Sequence, residues 1–300
     1  MPVSDYRKFL DPDIVSRLKS MELRARLVVE GFITGLHRSP YHGFSVEFAE
    51  HRQYMPGDEF KHIDWKVLGK TDRYYIKQFE EETNLKAYLL LDKSGSMGYA
   101  SEGLTKLQYA SYLSAALAYL MMKQRDAVGL LTFDNKIDHY LPPRSVKSYL
   151  FQLLRELENV TSEDVTDVAD TFHEMAERID RRGLVIILSD LYDDPEKIML
   201  GLKHFRHKKH EVIVFHILDP MEINFNFKRE MIFKDMETGE EIATQPWHIQ
   251  YEYRQKVKKF IEEYKHQCRS NNIDYVQLTT SQDYDRALME YFIKRKRIGG

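Results

Sequence analysis

The chain has 300 residues, of which 43% are hydrophobic and 30% are charged, and its formal net charge is -3. This length suits one large domain or one domain with a smaller appendage, and the small net charge gives no general attraction to nucleic acid. The single cysteine, Cys268, excludes an internal disulfide and fits a reducing compartment. The chain lacks an apolar stretch of the ~20 residues that a membrane helix needs, and its first residues lack an apolar signal core. We therefore expect a soluble, cytoplasmic protein with no integral membrane segment.

The residues before Leu85 differ in pattern from those that follow. Apolar residues recur at helical spacing in 11–34, which predicts a helix containing Leu18, Met21, Ala25 and Val28. Segments 44–54 and 73–82 favour strands, and the turn residues Pro56-Gly57-Asp58 separate them. We expect residues 1–84 to form a helix and a small β-rich extension.

From Leu85 onward, apolar strand patterns alternate with helical patterns. Strands are predicted at 85–91, 127–133, 184–188, 211–218 and 273–278. Helices are predicted at 105–124, 145–157, 167–180, 195–207, 248–269 and 283–295. This order is typical of an α/β fold with a doubly wound, mostly parallel sheet over 85–300, into which a β-hairpin at about 225–245 is inserted.

The most informative motif is Asp92-Lys93-Ser94-Gly95-Ser96, which follows the apolar strand predicted at 85–91. In open α/β sheets, ligands bind at the carboxyl ends of the strands. One carboxylate and two hydroxyls on a tight loop suit a hard cation such as Mg²⁺. The same residue types are common in ordinary loops between a strand and a helix, so the motif alone leaves both interpretations open.

A second acidic strand end favours the metal interpretation. Ser189-Asp190 follows another wholly apolar run, and two neighbouring central strands would bring Asp92 and Asp190 to one crevice. A third candidate is Thr166, at the predicted start of a helix, where plain helix capping is the competing interpretation.

The spacing Asp92-x-Ser94-x-Ser96, followed by Thr166 and Asp190, resembles the metal-ion-dependent adhesion site of von Willebrand factor A domains. Over nearly its whole length the chain resembles the DUF58 family, which carries a von Willebrand A-like (Rossmann-like) domain. The resemblance includes the blocks Tyr54-Met55-Pro56-Gly57-Asp58-Glu59, Ile63-Asp64-Trp65 and Phe79-Glu80-Glu81-Glu82. It implies a von Willebrand A-like fold behind the N-terminal β-rich extension.

The resemblance also implies a role for each site residue. Ser94, Ser96 and Thr166 would supply hydroxyl oxygens to Mg²⁺, with Mn²⁺ and Ca²⁺ as the alternative ions. Asp92 and Asp190 would hold the ion directly or through bound water.

The third loop offers competing hydroxyl groups. Thr161 and Ser162 lie close to Thr166 in the sequence, and the glycine that usually precedes this threonine in the family is Val165 here. The choice among the three hydroxyls therefore stays open.

This set of ligands would leave one coordination position of the ion open, and a carboxylate of a partner protein is its natural ligand. We therefore expect a non-catalytic, metal-dependent protein-interaction module. Membrane-free members of the family are generally encoded beside MoxR-type ATPases of the AAA superfamily. The resemblance thus implies an adaptor or co-chaperone that binds a MoxR-type AAA ATPase, its client protein, or both.

Two other functions compete with this one. Asp92 could serve a Mg²⁺-dependent hydrolase or phosphatase, but Ser94 stands where a phosphatase of the haloacid dehalogenase type needs its second aspartate. The Gly-x-Ser-x-Gly pattern of an esterase also fails at Ser94. The basic clusters 207–210 and 294–297 could bind nucleic acid, although cations at helix ends are the simpler interpretation.

Several histidines recur at helical spacing, and they raise the question of a zinc site. His204 and His207 would share one helix face, but a zinc site needs a third or fourth ligand, and none is evident nearby. We interpret them as a surface pair.

Overall fold

The computed structural model describes residues 11–16, 18–38, 51–53, 69, 75–77, 85–162, 168–234 and 241–298. Its strands are β1 (His51–Gln53), β2 (Tyr75–Lys77), β3 (Lys86–Asp92), β4 (Ala127–Phe133), β5 (Ile137–Arg144), β6 (Leu184–Ser189), β7 (Glu211–Leu218), β8 (Met231–Lys234), β9 (Glu241–Thr244) and β10 (Asp274–Thr279). Its α-helices are α1 (Pro12–Ser16), α2 (Met21–Arg38), α3 (Lys106–Lys123), α4 (Lys147–Asn159), α5 (Val168–Arg178), α6 (Pro195–His207), α7 (Pro220–Asn224), α8 (Pro246–Ser270) and α9 (Asp285–Ile298).

The main sheet of the described residues has six strands in the order β10-β7-β6-β3-β4-β5. All neighbouring pairs are parallel except β4 and β5, which are antiparallel. The prediction of an α/β fold with a mostly parallel sheet is therefore confirmed. The finer assignment to the von Willebrand A-like class stays a prediction.

The order in which successive strands are added to the sheet reverses at β3. After β3 the chain continues to β4 on one side, and it later returns to β6 on the other side of β3. The crevice outside the carboxyl ends of strands at such a reversal is where open α/β sheets bind ligands. This crevice lies directly after Asp92 and Ser189, the last residues of the two strands.

Helices cover both faces of the sheet. Leu89 and Leu91 of β3 belong to one buried cluster, together with Leu113 of α3. Leu90 belongs to a second cluster, together with Phe172 of α5. Because successive side chains of a strand point to opposite faces, a strand buried on both sides appears in the sequence as a continuous apolar run.

A capping box fixes the start of α3. The Thr105 hydroxyl accepts a hydrogen bond from the Gln108 amide, and the Gln108 side chain accepts one from the Thr105 amide (both 3.1 Å). These two bonds satisfy amide groups that the first turn of a helix leaves unpaired. Lys106, the first residue of α3, is thereby held at a defined place, with its side chain fully buried.

The N-terminal helix α2 packs on the same side of the sheet as α3. Val28, Val29 and Phe32 are buried within the first cluster. The Phe32 ring lies edge-on to Phe292 of α9, with 6.4 Å between the ring centroids. The helix α2 is thus packed against both α3 and α9 of the core.

Most of the predicted elements are confirmed. The strands predicted at 127–133 and 211–218 and the helix predicted at 195–207 have the bounds observed for β4, β7 and α6. The hairpin predicted at about 225–245 is also present, because β8 pairs with β9 in antiparallel register.

The single helix predicted at 11–34 is wrong, because α1 and α2 are separate helices. The connection between them is held by Arg24, whose guanidinium donates hydrogen bonds to the carbonyl oxygens of Leu18 and Ser16 (both 3.1 Å). Ser20 accepts a hydrogen bond from the Leu23 amide at the start of α2 (3.3 Å). Leu18 therefore lies outside both helices despite its helical spacing.

The sequence analysis also missed β5 and α7. Strand β5 contains Pro142 and Pro143, which cannot donate backbone hydrogen bonds and which argue against a central strand. The strand is tolerated because it lies at the edge of the sheet. Helix α7 has only 5 residues, too few for a periodic pattern.

The predicted β-rich extension is described only in part. Strands β1 and β2 lie within the predicted segments 44–54 and 73–82 and pair in antiparallel fashion. The turn at 56–58 and the remaining parts of both segments lie outside the described residues. The division of the chain at residue 84 stays a prediction.

Candidate functional site

The loop after β3 brings two serine hydroxyls together. The Ser94 amide donates a hydrogen bond to Oδ1 of Asp92 (2.9 Å), which turns the chain sharply at the end of the strand. A short 3₁₀ turn, Gly95–Gly98, follows. The hydroxyl oxygens of Ser94 and Ser96 then lie 3.2 Å apart. Ser94 is buried and Ser96 is partly exposed, so the pair can be reached from solvent.

The end of β6 meets this loop. Ser189 donates a hydrogen bond from its hydroxyl to Oδ2 of Asp92 (2.6 Å). Asp190, the next residue, is buried to the same extent as Asp92, with 1% of each residue exposed. Asp92, Ser94 and Asp190 all line one small cleft. The two strand ends that the sequence predicted to meet therefore do meet.

The two aspartates interact electrostatically. Burial, and then the negative charge of Asp190, hold the pKa of Asp92 well above its ordinary value. Hydrogen bonds from Ser189 and Ser94 oppose this shift because they stabilise the carboxylate. A cation placed between the aspartates would relieve this repulsion.

A buried lysine also lies at this edge of the sheet. The Lys106 ammonium contacts Oδ2 of Asp190 at 2.7 Å and Oε1 of Glu222 at 2.6 Å. Burial opposes the charged form of Lys106, but the two carboxylates outweigh it and raise its pKa. The ammonium also lies 4.8 Å from the centre of the Tyr192 ring. Asp190 is therefore already compensated by one positive charge of the protein.

A histidine positions the backbone of Asp190. The carbonyl oxygen of Asp190 can only accept, so Nε2 of His216 carries the proton and donates to it (2.8 Å). The other ring nitrogen, Nδ1, then accepts from the Tyr275 hydroxyl (2.5 Å). Burial lowers the pKa of His216 to about 4, so the ring is neutral near pH 7.

The size and chemistry of the cleft suit an ion better than an organic ligand. The space in the cleft is about 160 Å³ even when its open mouth is included, and the described residues enclose no cavity there that is large enough for an organic ligand. Neighbouring oxygens on an octahedral Mg²⁺ lie about 3 Å apart, since the bonds are about 2.0–2.1 Å long. The 3.2 Å between the Ser94 and Ser96 hydroxyls agrees with this spacing. The lining residues are Asp92, Ser94, Ser189, Asp190, Leu191, Tyr192, Asp193 and Ile198.

The predicted third loop is described in part. Thr166 lies outside the described residues, whereas Thr161 and Ser162 are exposed. A Cβ atom built on Gly98 would lie 2.7 Å from the Ser162 hydroxyl oxygen. This distance places Ser162 next to the turn that carries Ser96.

The histidines predicted as a surface pair have other neighbours. Nδ1 of His204 lies 3.1 Å from Nδ1 of His173 on α5, and Nε2 of His204 lies 2.8 Å from Glu177. His207 is exposed. In the described part of the chain, no group of three or more His, Cys, Asp or Glu side chains has the arrangement of a metal site.

Two cations of the basic cluster 294–297 have structural partners. Lys294 contacts Glu211 at 2.7 Å and Asp274 at 2.8 Å. Arg295 contacts Asp126 at 2.8 Å. These side chains join α9 to the sheet and to the segment before β4, so their charges have a role within the fold.

Four members of the site were not predicted from the sequence: Ser189, Lys106, Glu222 and His216. Ser189 carried a usable signal, because it directly precedes Asp190 at a strand end. Lys106 lacked one, because it lies 84 residues from Asp190 and 116 residues from Glu222 along the chain. Only the tertiary fold brings these three charges together.

The described helices include none that is long and apolar enough to cross a lipid bilayer.

Known proteins resemble this chain in sequence and in structure. An uncharacterized protein of Mycobacterium tuberculosis is 25% identical over 232 residues, which cover 76% of this chain and 73% of the relative. The structure of the conserved hypothetical protein BatB from Bacteroides thetaiotaomicron covers 70% of this chain and 99% of its own, with 18% identity and a TM-score of 0.47. An aerotolerance-related membrane protein from Bacteroides fragilis has the same coverage, with 16% identity and a TM-score of 0.49. TM-scores below 0.5 do not establish a common fold.

The family comparison is more extensive. The model of the family described as "Protein of unknown function DUF58" matches residues 50–266, which is well over half of the 300-residue chain. The chain therefore belongs to the DUF58 family.

Proposed function

We propose that this protein is a non-catalytic interaction module that binds a partner protein through Mg²⁺ at the crevice between β3 and β6. The observation that carries the proposal is the meeting of two serine hydroxyls and two buried aspartates at the point where the strand order reverses. The likeness of these residues to the adhesion site of von Willebrand A domains supports the same function.

The hydrogen bonds of the site suggest how its residues divide the work. Both carboxylate oxygens of Asp92 already accept hydrogen bonds, from Ser94 and from Ser189. The hydroxyls of Ser94 and Ser96 would therefore be the direct ligands. Asp92 and Asp190 would contribute negative charge and hold bound waters, and Thr166 or its neighbours would add the third-loop oxygen.

A set rich in neutral hydroxyls would leave the charge of the ion partly uncompensated. Bound there, Mg²⁺ would offer an open coordination position to a carboxylate oxygen of the partner. Ser96, which is partly exposed, lies where such a carboxylate would enter. The proposed partner is a MoxR-type AAA ATPase or its client, on which the protein would act as an adaptor or co-chaperone.

A hydrolase that uses Asp92 as its nucleophile has weaker support. A nucleophilic carboxylate must direct an oxygen at the substrate, but the two oxygens of Asp92 accept hydrogen bonds from the protein. The small volume of the cleft also leaves little room for an organic substrate.

The proposal is tested with the purified full chain and a purified MoxR-type ATPase. Binding is measured by biolayer interferometry in Mg²⁺ and in EDTA, and Mg²⁺ binding to the chain alone is measured by calorimetry. We expect EDTA, Ser96→Ala and Asp92→Asn each to weaken partner binding by about tenfold or more, since each removes a contribution to a charge-assisted contact.

The matched control is Asp134→Asn. Asp134 lies at the carboxyl end of β4, next to the strand that ends at Asp92, and is similarly buried, but it pairs with Lys93 instead of the crevice serines. This variant should bind the partner normally. Partner binding that survives both EDTA and Ser96→Ala would refute the proposed role of the ion.

A further inference from the structure

The Lys106 ammonium is enclosed by groups that favour a cation. It forms ion pairs with Asp190 (2.7 Å) and Glu222 (2.6 Å), and none of its side chain is exposed. The rings of Tyr192 and Tyr99 lie 4.8 Å and 5.9 Å from it. The Lys106 ammonium thus lies against Asp190, the same residue that the proposed ion would use.

Both ends of this arrangement are fixed by the fold. The capping box at Thr105 and Gln108 holds the backbone at Lys106. On the other side, Oε2 of Glu222 accepts a hydrogen bond from the Asp219 amide (2.7 Å), which fixes Glu222 in the capping box of α7. The ammonium is thus held beside Asp190 by a second ion pair, the one to Glu222.

We infer that Lys106 competes with the divalent ion for Asp190 and keeps the affinity of the crevice for divalent ions low. This inference rests on the proposed function, because it concerns the same site. Like charges repel strongly where water is excluded, so a fixed ammonium lowers the attraction of the crevice for a second cation. Without it, the charges of Asp190 and Glu222 would be uncompensated next to the crevice and would strengthen its attraction for the ion.

The test compares Mg²⁺ binding by the wild-type chain and by Lys106→Met, using calorimetry and the shift of Tm on addition of Mg²⁺. We expect the variant to bind Mg²⁺ roughly tenfold more tightly or better, as expected for removal of one nearby positive charge. We also expect Mg²⁺ to raise its Tm more than it raises the Tm of the wild type.

The matched control is Lys294→Met. Lys294 is also largely buried and also pairs with two carboxylates, Glu211 and Asp274. These two residues lie at the amino ends of β7 and β10, whereas the crevice lies at the carboxyl ends of the strands. Its removal should leave the Mg²⁺ affinity unchanged. Lys106→Arg, which keeps the charge, should bind Mg²⁺ as weakly as the wild type.

Loss of Lys106 leaves Asp190 and Glu222 buried without their cation, which could prevent folding. The double variant Lys106→Met/Glu222→Gln removes one of these charges and keeps the side-chain oxygen that accepts from the Asp219 amide. Whichever of these two variants folds is used in the comparison and is called the charge-free form, because it lacks the ammonium of Lys106.

The outcomes separate the inference from the proposed function. Tighter binding by the charge-free form supports the inference, and equal affinity in all forms overturns it while leaving the proposed function intact. Binding by the charge-free form alone supports the inference and overturns the Mg²⁺-dependent function of the wild type. Absence of Mg²⁺ binding in every form overturns both.

Discussion

Three buried aspartates lie at the carboxyl ends of the adjacent strands β4, β3 and β6, and they differ in how the protein compensates their negative charges. Asp134 lies 3.2 Å from the Lys93 ammonium, and Asp190 lies 2.7 Å from the Lys106 ammonium. Asp92, between them, accepts hydrogen bonds from a hydroxyl and a backbone amide and forms no ion pair with a described residue. An added cation would therefore gain most from Asp92, because the protein itself supplies a cation to each neighbour.

Cys268 should be chemically inert in the folded protein. The residue is completely buried, and burial raises the pKa of its thiol to about 12. Because the thiolate is the reactive form, the native chain should hardly react with iodoacetamide at pH 8, whereas the chain unfolded in guanidinium should take up one equivalent. Mass spectrometry measures both reactions. Rapid labelling of the native chain would contradict the burial.

The acidic residues of the site could be predicted from the sequence, but the cation beside them could not. Asp92 and Asp190 each follow an apolar run, so their place at the carboxyl edge follows from local pattern alone. A lysine in the first turn of a helix is normally exposed. The burial of Lys106 depends on Glu222 of α7, a short helix without a periodic signal.

Helices α5 and α6 approach each other closely at Gly201. A Cβ atom on Gly201 would lie 2.4 Å from Cβ of Phe172, a contact that both backbones would have to relieve by moving apart. Gly201→Ala should therefore lower the free energy of unfolding by ~1–3 kcal/mol, although alanine is the better helix former. Urea denaturation measures the change.

The neighbouring position provides the control for this prediction. Leu200 lies on the same helix and is 55% exposed, so Leu200→Ala should change the free energy of unfolding by about 0.5 kcal/mol or less. If Gly201→Ala were equally neutral, the two helices would not be as closely packed as described.

The start of β7 should make stability sensitive to acid. His210 is buried just before this strand, and its Nδ1 accepts a hydrogen bond from the Gly183 amide (3.3 Å). Burial lowers the pKa of His210 below its ordinary value of 6.5. The unfolded chain therefore binds more protons than the folded chain below that pH, and stability falls as the pH drops through about 6.5.

His210→Gln removes the titrating group and keeps a side-chain acceptor for the Gly183 amide. Its Tm should fall less than that of the wild type between pH 7 and pH 5, as measured by calorimetry. Parallel curves for the two proteins would assign the acid sensitivity to other groups.

The elements that the sequence predicted correctly are those whose signal is local. The apolar run of β6 and the apolar stripe of α3 each follow from the burial of the element itself. The edge strand β5 and the break after α1 depend on neighbours instead. Pro142 is acceptable only because β5 lies at an edge, and the break is held by bonds from Arg24.

At the scale of the whole molecule, residues from both ends of the chain complete one face of the core. Met21, Val28 and Phe32 of α2 and Leu288 of α9 are buried in the cluster that also contains Leu113 of α3. The guanidinium of Arg24 lies 4.6 Å from the centre of the Tyr112 ring on α3, which adds a cation–π contact between α2 and α3. The buried cluster around α3 is therefore complete only when α2 is in place.

If α2 is part of the same cooperative unit as the sheet, weakening it must destabilise the whole molecule. Phe32 is 3% exposed and contacts Phe292 of α9, so Phe32→Ala should cost ~3 kcal/mol of the free energy of unfolding and shift one single transition in urea. Leu23→Ala, at a position of the same helix that is 39% exposed, should have little effect. A separate early transition in Phe32→Ala, with the main one unchanged, would instead make α2 an independent appendage.

The coupling in the double variant Phe32→Ala/Phe292→Ala then measures the direct contribution of the aromatic pair, because non-additivity is expected only for residues in contact.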